Sequence, residues 1–190
     1  YANPALRADT ELLKQNRRGQ SGLWGYAVSG DLPIVLLKIA DEANIDLVRQ
    51  LVQAHAYWRL KGLAVDLVIW NEDHAGYRQR LHDQIMGLIA SGIEASVIDR
   101  PGGIFVRLTE QISSEDRILF QSVARAVITD DQGSLAEQLE QRSLATPRQP
   151  GFVPSRSHVV EAACATQPLR SDLILSNGLG GFTADGREYV

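Results

Sequence analysis

The chain has 190 residues, 44% hydrophobic and 22% charged, with 19 Lys and Arg against 23 Asp and Glu for a formal net charge of −4. That is ordinary globular usage with room for one domain of about 150 residues and its extensions. It argues against a nucleic-acid surface, since no basic run exceeds Arg17-Arg18, and the single Cys164 excludes an internal disulfide or cysteine metal cluster. No signal peptide is evident and no window approaches the roughly 18 consecutive apolar residues of a membrane span, so direct membrane insertion is not expected.

Asn3-Pro4 is a turn dipeptide, and Leu6, Leu12 and Leu13 among charges predict a short helix around 9–17. Residues 1–30 read as an extended N-terminal arm and glycine-rich loop. Gly19, Gly22, Gly25 and Gly30 allow close backbone approach, while Trp24 and Tyr26 carry surfaces that a solvated linker does not need, so the loop is expected to pack. Pro33 opens an apolar run, 34–39, whose lack of alternation marks a strand buried on both faces. A helix over 45–61 follows, with Asn44 as its N-cap, a stripe of Leu47, Leu51, His55 and Trp58, and Gly62 as its stop. His55 on that stripe reads as a hydrogen-bonded core residue.

A second strand is predicted over 65–70, then the polar loop Asn71-Glu72-Asp73-His74. Asp73 is the expected N-cap of a helix over 75–91 with Tyr77, Leu81, Ile85 and Leu88 on one face, and after Gly92 a third strand is predicted at 95–98. Strand starts near 34, 65 and 95 are spaced about one βα unit apart. The expectation is an α/β fold, a three-layer Rossmann-like domain over 31–144 with a short, mainly parallel sheet. Asp99 to Gly103 then leads into the apolar run 104–108, and so short a connection predicts antiparallel pairing with the preceding strand or its continuation after a kink. Ser113 opens a helix over 114–129 with Leu119, Val123, Ala126 and Val127 inward, and Ser134 to Gln141 forms a further amphipathic piece. Residues 145–172, proline-bearing and aperiodic, read as a linker into an unfinished β domain, the start of a truncated β-sandwich at 173–190. With no Met at position 1, the chain is expected to be a piece of a longer protein.

Open parallel sheets bind ligands beyond the carboxyl ends of their strands. The candidate ligand-binding residues are therefore Asn71, Glu72, Asp73 and His74 after the second strand, with Asp99 and Arg100 after the third. The first four can supply sugar hydrogen bonds, a metal site or an acid–base pair, and the plain alternative is a polar loop with a helix cap. Asp99 and Arg100 also read as a surface pair. The first strand lacks a following G-x-G-x-x-G, and neither G-x-x-x-x-G-K-[ST] nor G-x-S-x-G occurs. His82 and His158 lack partners at ligand spacing. No catalytic residue, metal or cofactor is assigned.

The stretches Arg17-Arg18-Gly19-Gln20-Ser21-Gly22-Leu23-Trp24, Ser29-Gly30-Asp31-Leu32-Pro33-Ile34, Gln53-Ala54-His55-Ala56-Tyr57-Trp58-Arg59-Leu60-Lys61-Gly62 and Asp66-Leu67-Val68-Ile69-Trp70-Asn71-Glu72-Asp73 resemble the cyclic β-1,2-glucan synthases over nearly the whole chain. Asn177-Gly178-Leu179-Gly180-Gly181-Phe182 with Asp185-Gly186-Arg187-Glu188-Tyr189 resembles the start of the β-sandwich in cellobiose and chitobiose phosphorylases, the glycoside hydrolase family 94 group. The resemblance implies a bacterial inner-membrane enzyme that polymerises glucose from UDP-glucose and trims its product by a phosphorylase-like C-terminal region, within which this chain is a connecting module on the cytoplasmic side. It supplies no catalytic residue. The implied partners are the β-sandwich and helical barrel of the same polypeptide, with β-1,2-glucan as a candidate contact. The competing expectation is a self-standing sugar- or nucleotide-sugar-binding enzyme domain acting through loop 71–74.

Overall fold

The computed structural model describes residues 3–73, 78–140 and 172–190. The chain divides into two compact units, Tyr1–Pro147 and Arg148–Val190. In the first, four strands, β1 (Ile34–Ile39), β2 (Asp66–Asn71), β3 (Ile104–Leu108) and β4 (Ala126–Thr129), form one all-parallel sheet in the order β3-β2-β1-β4. Among the described residues, six α-helices accompany them: α1 (Thr10–Gln15), α2 (Ser21–Trp24), α3 (Ile45–Leu60), α4 (Arg78–Ala90), α5 (Ser114–Val123) and α6 (Leu135–Glu140).

The alternation of side chains along each strand divides the core in two. Leu37 and Ile39 of β1, Leu67 and Ile69 of β2, and Ile104 and Val106 of β3 pack against Leu47, Val48 and Leu51 of α3 and Leu81, Ile85 and Ile89 of α4. On the other face Ile34, Leu36, Val68, Trp70 and Phe105 meet Leu119 and Phe120 of α5, together with Leu23 and Val28 from the glycine-rich segment. Helices thus cover both faces, the three-layer arrangement expected. The glycine loop packs as predicted: Leu23 and Val28 are buried, and the Tyr26 ring meets Phe120 edge-on at 5.5 Å.

The structure corrects several expectations. The third strand predicted at 95–98 is a 3-10 helix, Ile93–Val97, because Glu94 in the middle of that apolar stretch turns inward to bind His55 and Arg59. The run 104–108 is itself the third strand and lies parallel to β2, with α4 in the crossover between them; only Ile98 makes a single parallel bridge to Ile104. The helix predicted over 114–129 ends at Val123, Ala124 takes an extended ψ of 134°, and Arg125 N–H donates to Ile34 O at 2.7 Å, so that 126–129 adds β4 to the free edge of β1. Asn44 occupies the N-cap position of α3 as expected but makes no side-chain capping bond, and Asp41 caps the 3-10 turn Glu42–Asn44 ahead of that helix. Ser113 does cap α5, its Oγ accepting the Asp116 N–H at 3.1 Å.

His74, Tyr77, His158, Cys164 and most of the predicted linker lie outside the described residues, as does the chain between Asp73 and α4 where Asp73 was expected to cap. In the second unit, residues 172–190 turn back twice, with antiparallel bridges Ile174 to Phe182 and Phe182 to Tyr189. No helix among the described residues is long and apolar enough to cross a membrane.

Candidate functional site

Strand order 3-2-1-4 reverses direction between β1 and β4, so the crevice beyond their carboxyl ends is where an open parallel sheet seats a ligand. Three chain exits meet at this end of the sheet: Lys38 to Asp41 after β1, Asn71 to Asp73 after β2, and Thr129 to Asp131 after β4.

The exit of β2 is knitted to that of β1. Glu72 N–H donates to Ile39 O at 2.7 Å, which extends the ladder by one bond, and Glu72 Oε1 lies 3.5 Å from Lys38 Nζ with both side chains about a quarter exposed. Asn71 is buried, and its Oδ1 accepts the Asp73 N–H at 3.0 Å, an Asx turn that swings the chain off the strand and leaves Asp73 nearly buried as well. The structure thus holds Asn71, Glu72 and Asp73 together at the exit of β2.

The exit of β4 decides what the crevice can accept. Asp130 Oδ2 accepts the N–H groups of Ala40 and Asp41, each at 2.9 Å, and the Asn44 amide lies 3.4 Å from the same oxygen. Backbone N–H groups following the first strand are the groups that cradle phosphate in nucleotide-binding sheets. Here the chain's own carboxylate sits on them. Beside it, the Thr129 hydroxyl donates to Asp131 in a short hydrogen bond, and that bond first, with Gln132 and the nearby Lys38 charge, holds the Asp131 carboxyl below its ordinary range. Asp131 is therefore ionised at neutral pH.

Asp99 and Arg100 do not join this cluster. They sit in the turn that enters β3, the opposite end of that strand from the one expected, and Asp99 pairs with Arg107 at 2.8 Å instead of with Arg100. The same end of the sheet holds a buried polar group of structural character. His55, fully buried, has Nδ1 2.5 Å from Glu94 Oε2 and Nε2 2.9 Å from Val65 O, while Glu94 Oε1 accepts from Arg59 at 2.7 Å. This is the hydrogen-bonded core histidine that its place on the α3 stripe predicts.

Sequence reasoning missed Asp130 and Asp131. Lys38 was visible as the one charge in an apolar strand, but the two aspartates become legible only once 126–129 is recognised as a strand.

Over its whole length the chain is similar to a segment of the cyclic beta-(1,2)-glucan synthase NdvB of Rhizobium meliloti (strain 1021), at 30% identity over 198 aligned residues. The resemblance to the cyclic β-1,2-glucan synthases is thereby shown. The chain spans 7% of the length of that relative. No family model matches the chain.

Proposed function

We propose that this chain is a non-catalytic α/β module of a cyclic β-1,2-glucan synthase, a membrane-associated polypeptide that transfers glucosyl units from UDP-glucose and controls chain length through a phosphorylase-like region akin to glycoside hydrolase family 94. In that polypeptide it packs among β-sandwich and helical-barrel domains at the cytoplasmic face of the bacterial inner membrane, contacts the glucan, and needs no cofactor of its own.

The observation that carries the non-catalytic reading is the seat of Asp130. At the point of the sheet where a nucleotide sugar would place its phosphates, the two available N–H donors are bonded to a side chain of the same chain, and a second carboxylate, Asp131, lies beside it. An incoming phosphate meets two carboxylates where these two N–H groups are already bonded. The neighbouring acid and base are committed too, since Glu72 and Lys38 face each other. The end-to-end similarity to a glucan synthase segment supports the assignment to such a polypeptide.

The test is made in the full-length polypeptide. Glu72→Gln is expected to leave glucosyl transfer and phosphorolysis within a few-fold of the parent, whereas removal of a general acid or base lowers a rate by about 10² to 10⁴. A hundredfold loss of either activity, with folding intact, would reject the scaffold reading in favour of an enzyme domain acting through loop 71–74.

A further inference from the structure

We propose that the groove between the glycine-rich segment and α5 binds a glucan chain, with Trp24, which stands outside the groove's lining and shares the Ser29 carbonyl with Gln20 on its wall, as an adjoining stacking platform; this deepens, and rests on, the reading of the chain as part of a glucan synthase. The groove encloses about 510 Å³, with Asn16, Arg18, Gln20, Asp31 and Arg125 on its walls and Leu23 in its floor. Arg18 pairs with Glu115, and Gln20 Nε2 reaches Ser29 O and Asp31 Oδ1, so a hydroxyl entering the groove joins an exposed network of amide, carboxylate and guanidinium groups that holds both donors and acceptors. A few such groups over an apolar floor suit a neutral polyhydroxylated chain.

Trp24 is tied to this network by its edge. Its Nε1–H donates to Ser29 O at 3.2 Å, the carbonyl that also accepts from Gln20 Nε2 at 2.8 Å, and the same Gln20 nitrogen reaches Asp31 Oδ1 at 2.8 Å. The ring is nonetheless 63% exposed. An indole held by its edge and largely exposed offers a flat apolar surface that matches the C–H face of a pyranose, and it contributes little to a core that Leu23 already fills. The turn behind it has a set shape: Ala27 takes a φ of 63° and Gly30 one of 77°, and a Cβ on Gly30 would stand 2.9 Å from Gln20 and Leu23. The groove also lies at the amino ends of β1 and β4, marked by Pro33, Ile34 and Arg125, whereas nucleotides bind open parallel sheets at the other end.

The test is a titration of the ¹⁵N-labelled 190-residue chain in which the indole N–H signals of its three tryptophans are followed separately. β-1,2-linked gluco-oligosaccharides, UDP-glucose and inorganic phosphate are the three arms. The oligosaccharides are expected to move the Trp24 signal saturably and to leave that of buried Trp70 in place. Trp24→Ala should weaken binding by about tenfold or more, the usual effect of truncating an aromatic anchor, and Trp24→Phe by less. An unmoved Trp70 signal reports that each variant is folded. The proposal is overturned by oligosaccharide binding that Trp24→Ala leaves unchanged, by a Trp24 response to UDP-glucose or phosphate alone, or by no Trp24 response in any arm. None of these touches the scaffold reading, which stands or falls on activity in the full-length polypeptide.

Discussion

Asp66, the first residue of β2, is a fully buried carboxyl whose Oδ1 accepts the Gly102 N–H at 2.7 Å while Oδ2 has no partner. Burial pushes it above its ordinary value of 3.8, and the Gly102 bond opposes that shift without cancelling it. The folded chain therefore keeps a proton over a window in which the unfolded chain has released it, and stability falls as pH rises from 3.8 through the folded value. Asp66→Asn keeps an acceptor for Gly102 and has no charge to bury, so it is expected to be more stable than the parent at neutral pH, with the difference closing in acid. Urea midpoints along a pH series measure this, and a pH-independent difference would contradict it. Gly103 makes a demand of space. A Cβ there would lie 1.8 Å from the backbone oxygen of Val97, which cannot move aside as a side chain can. Gly103→Ala is expected to lower stability by about 3 kcal/mol or more. Gly62→Ala, at a φ of 79° in open space, should lose only the left-handed penalty of about 1 to 2 kcal/mol, and thermal melts would rank the pair.

Elements are joined here by side chains that mimic backbone. Gln138 of α6, almost fully buried, accepts the Thr129 N–H at 3.2 Å through Oε1 and donates through Nε2 to Thr129 O at 2.8 Å and Gly133 O at 2.9 Å, so its amide pairs with the outer edge of β4 as a neighbouring strand would. Gln138→Ala should lose about 2 kcal/mol, because both Thr129 groups are left unpaired, and Gln138→Glu, which loses the two donated bonds, should lose nearly as much. Chemical denaturation that finds Gln138→Glu as stable as the parent would dismiss the edge role. The same region shows how far sequence could be read. β1, β2, α3 and the described part of α4 were legible because each is long enough for its period to declare itself and none competes with an alternative. Ala126 to Thr129 were not: a four-residue strand places Val127 on one face and Ile128 on the other, and Ala-Val can be counted equally well on the face of the preceding helix. Ile93 to Val97 misled in the opposite direction, since Ile93, Ala95 and Val97 alternate like a strand and only the distant His55 and Arg59 explain why Glu94 is the residue that turns in. The candidate site suffered accordingly, for Asn71, Glu72 and Asp73 were found from their own polarity, whereas Asp130 belongs to a strand exit that local pattern could not reveal.

Among the described residues of the molecule, apolar burial is unevenly shared. Both core clusters lie in the unit Tyr1–Pro147, where Leu36, Leu37, Ile39, Leu67, Val68 and Ile69 of the two central strands have no solvent exposure. In the unit Arg148–Val190 the described residues are joined by two isolated antiparallel bridges and one edge-on pair of Phe182 and Tyr189 at 5.3 Å, while Leu175 and Leu179 are 83% and 94% exposed. The short pairings among these described residues, with so little of their surface covered, are marginal on their own. Hydrogen exchange is therefore expected to resolve two levels. Amides of β1 and β2 should exchange only with global unfolding, and those of Ile174, Phe182 and Val190, although each donates to a backbone carbonyl, should open at a far lower free energy. A chain ended at Pro147 should keep the protection of β1 and β2 and lose no more than about 0.5 kcal/mol of stability, the range of changes that touch no core. If that truncation strips protection from β1, or if Phe182 in the intact chain exchanges as slowly as Leu36, the two units unfold as one and the core of the α/β domain depends on residues that its own sheet and helices do not supply.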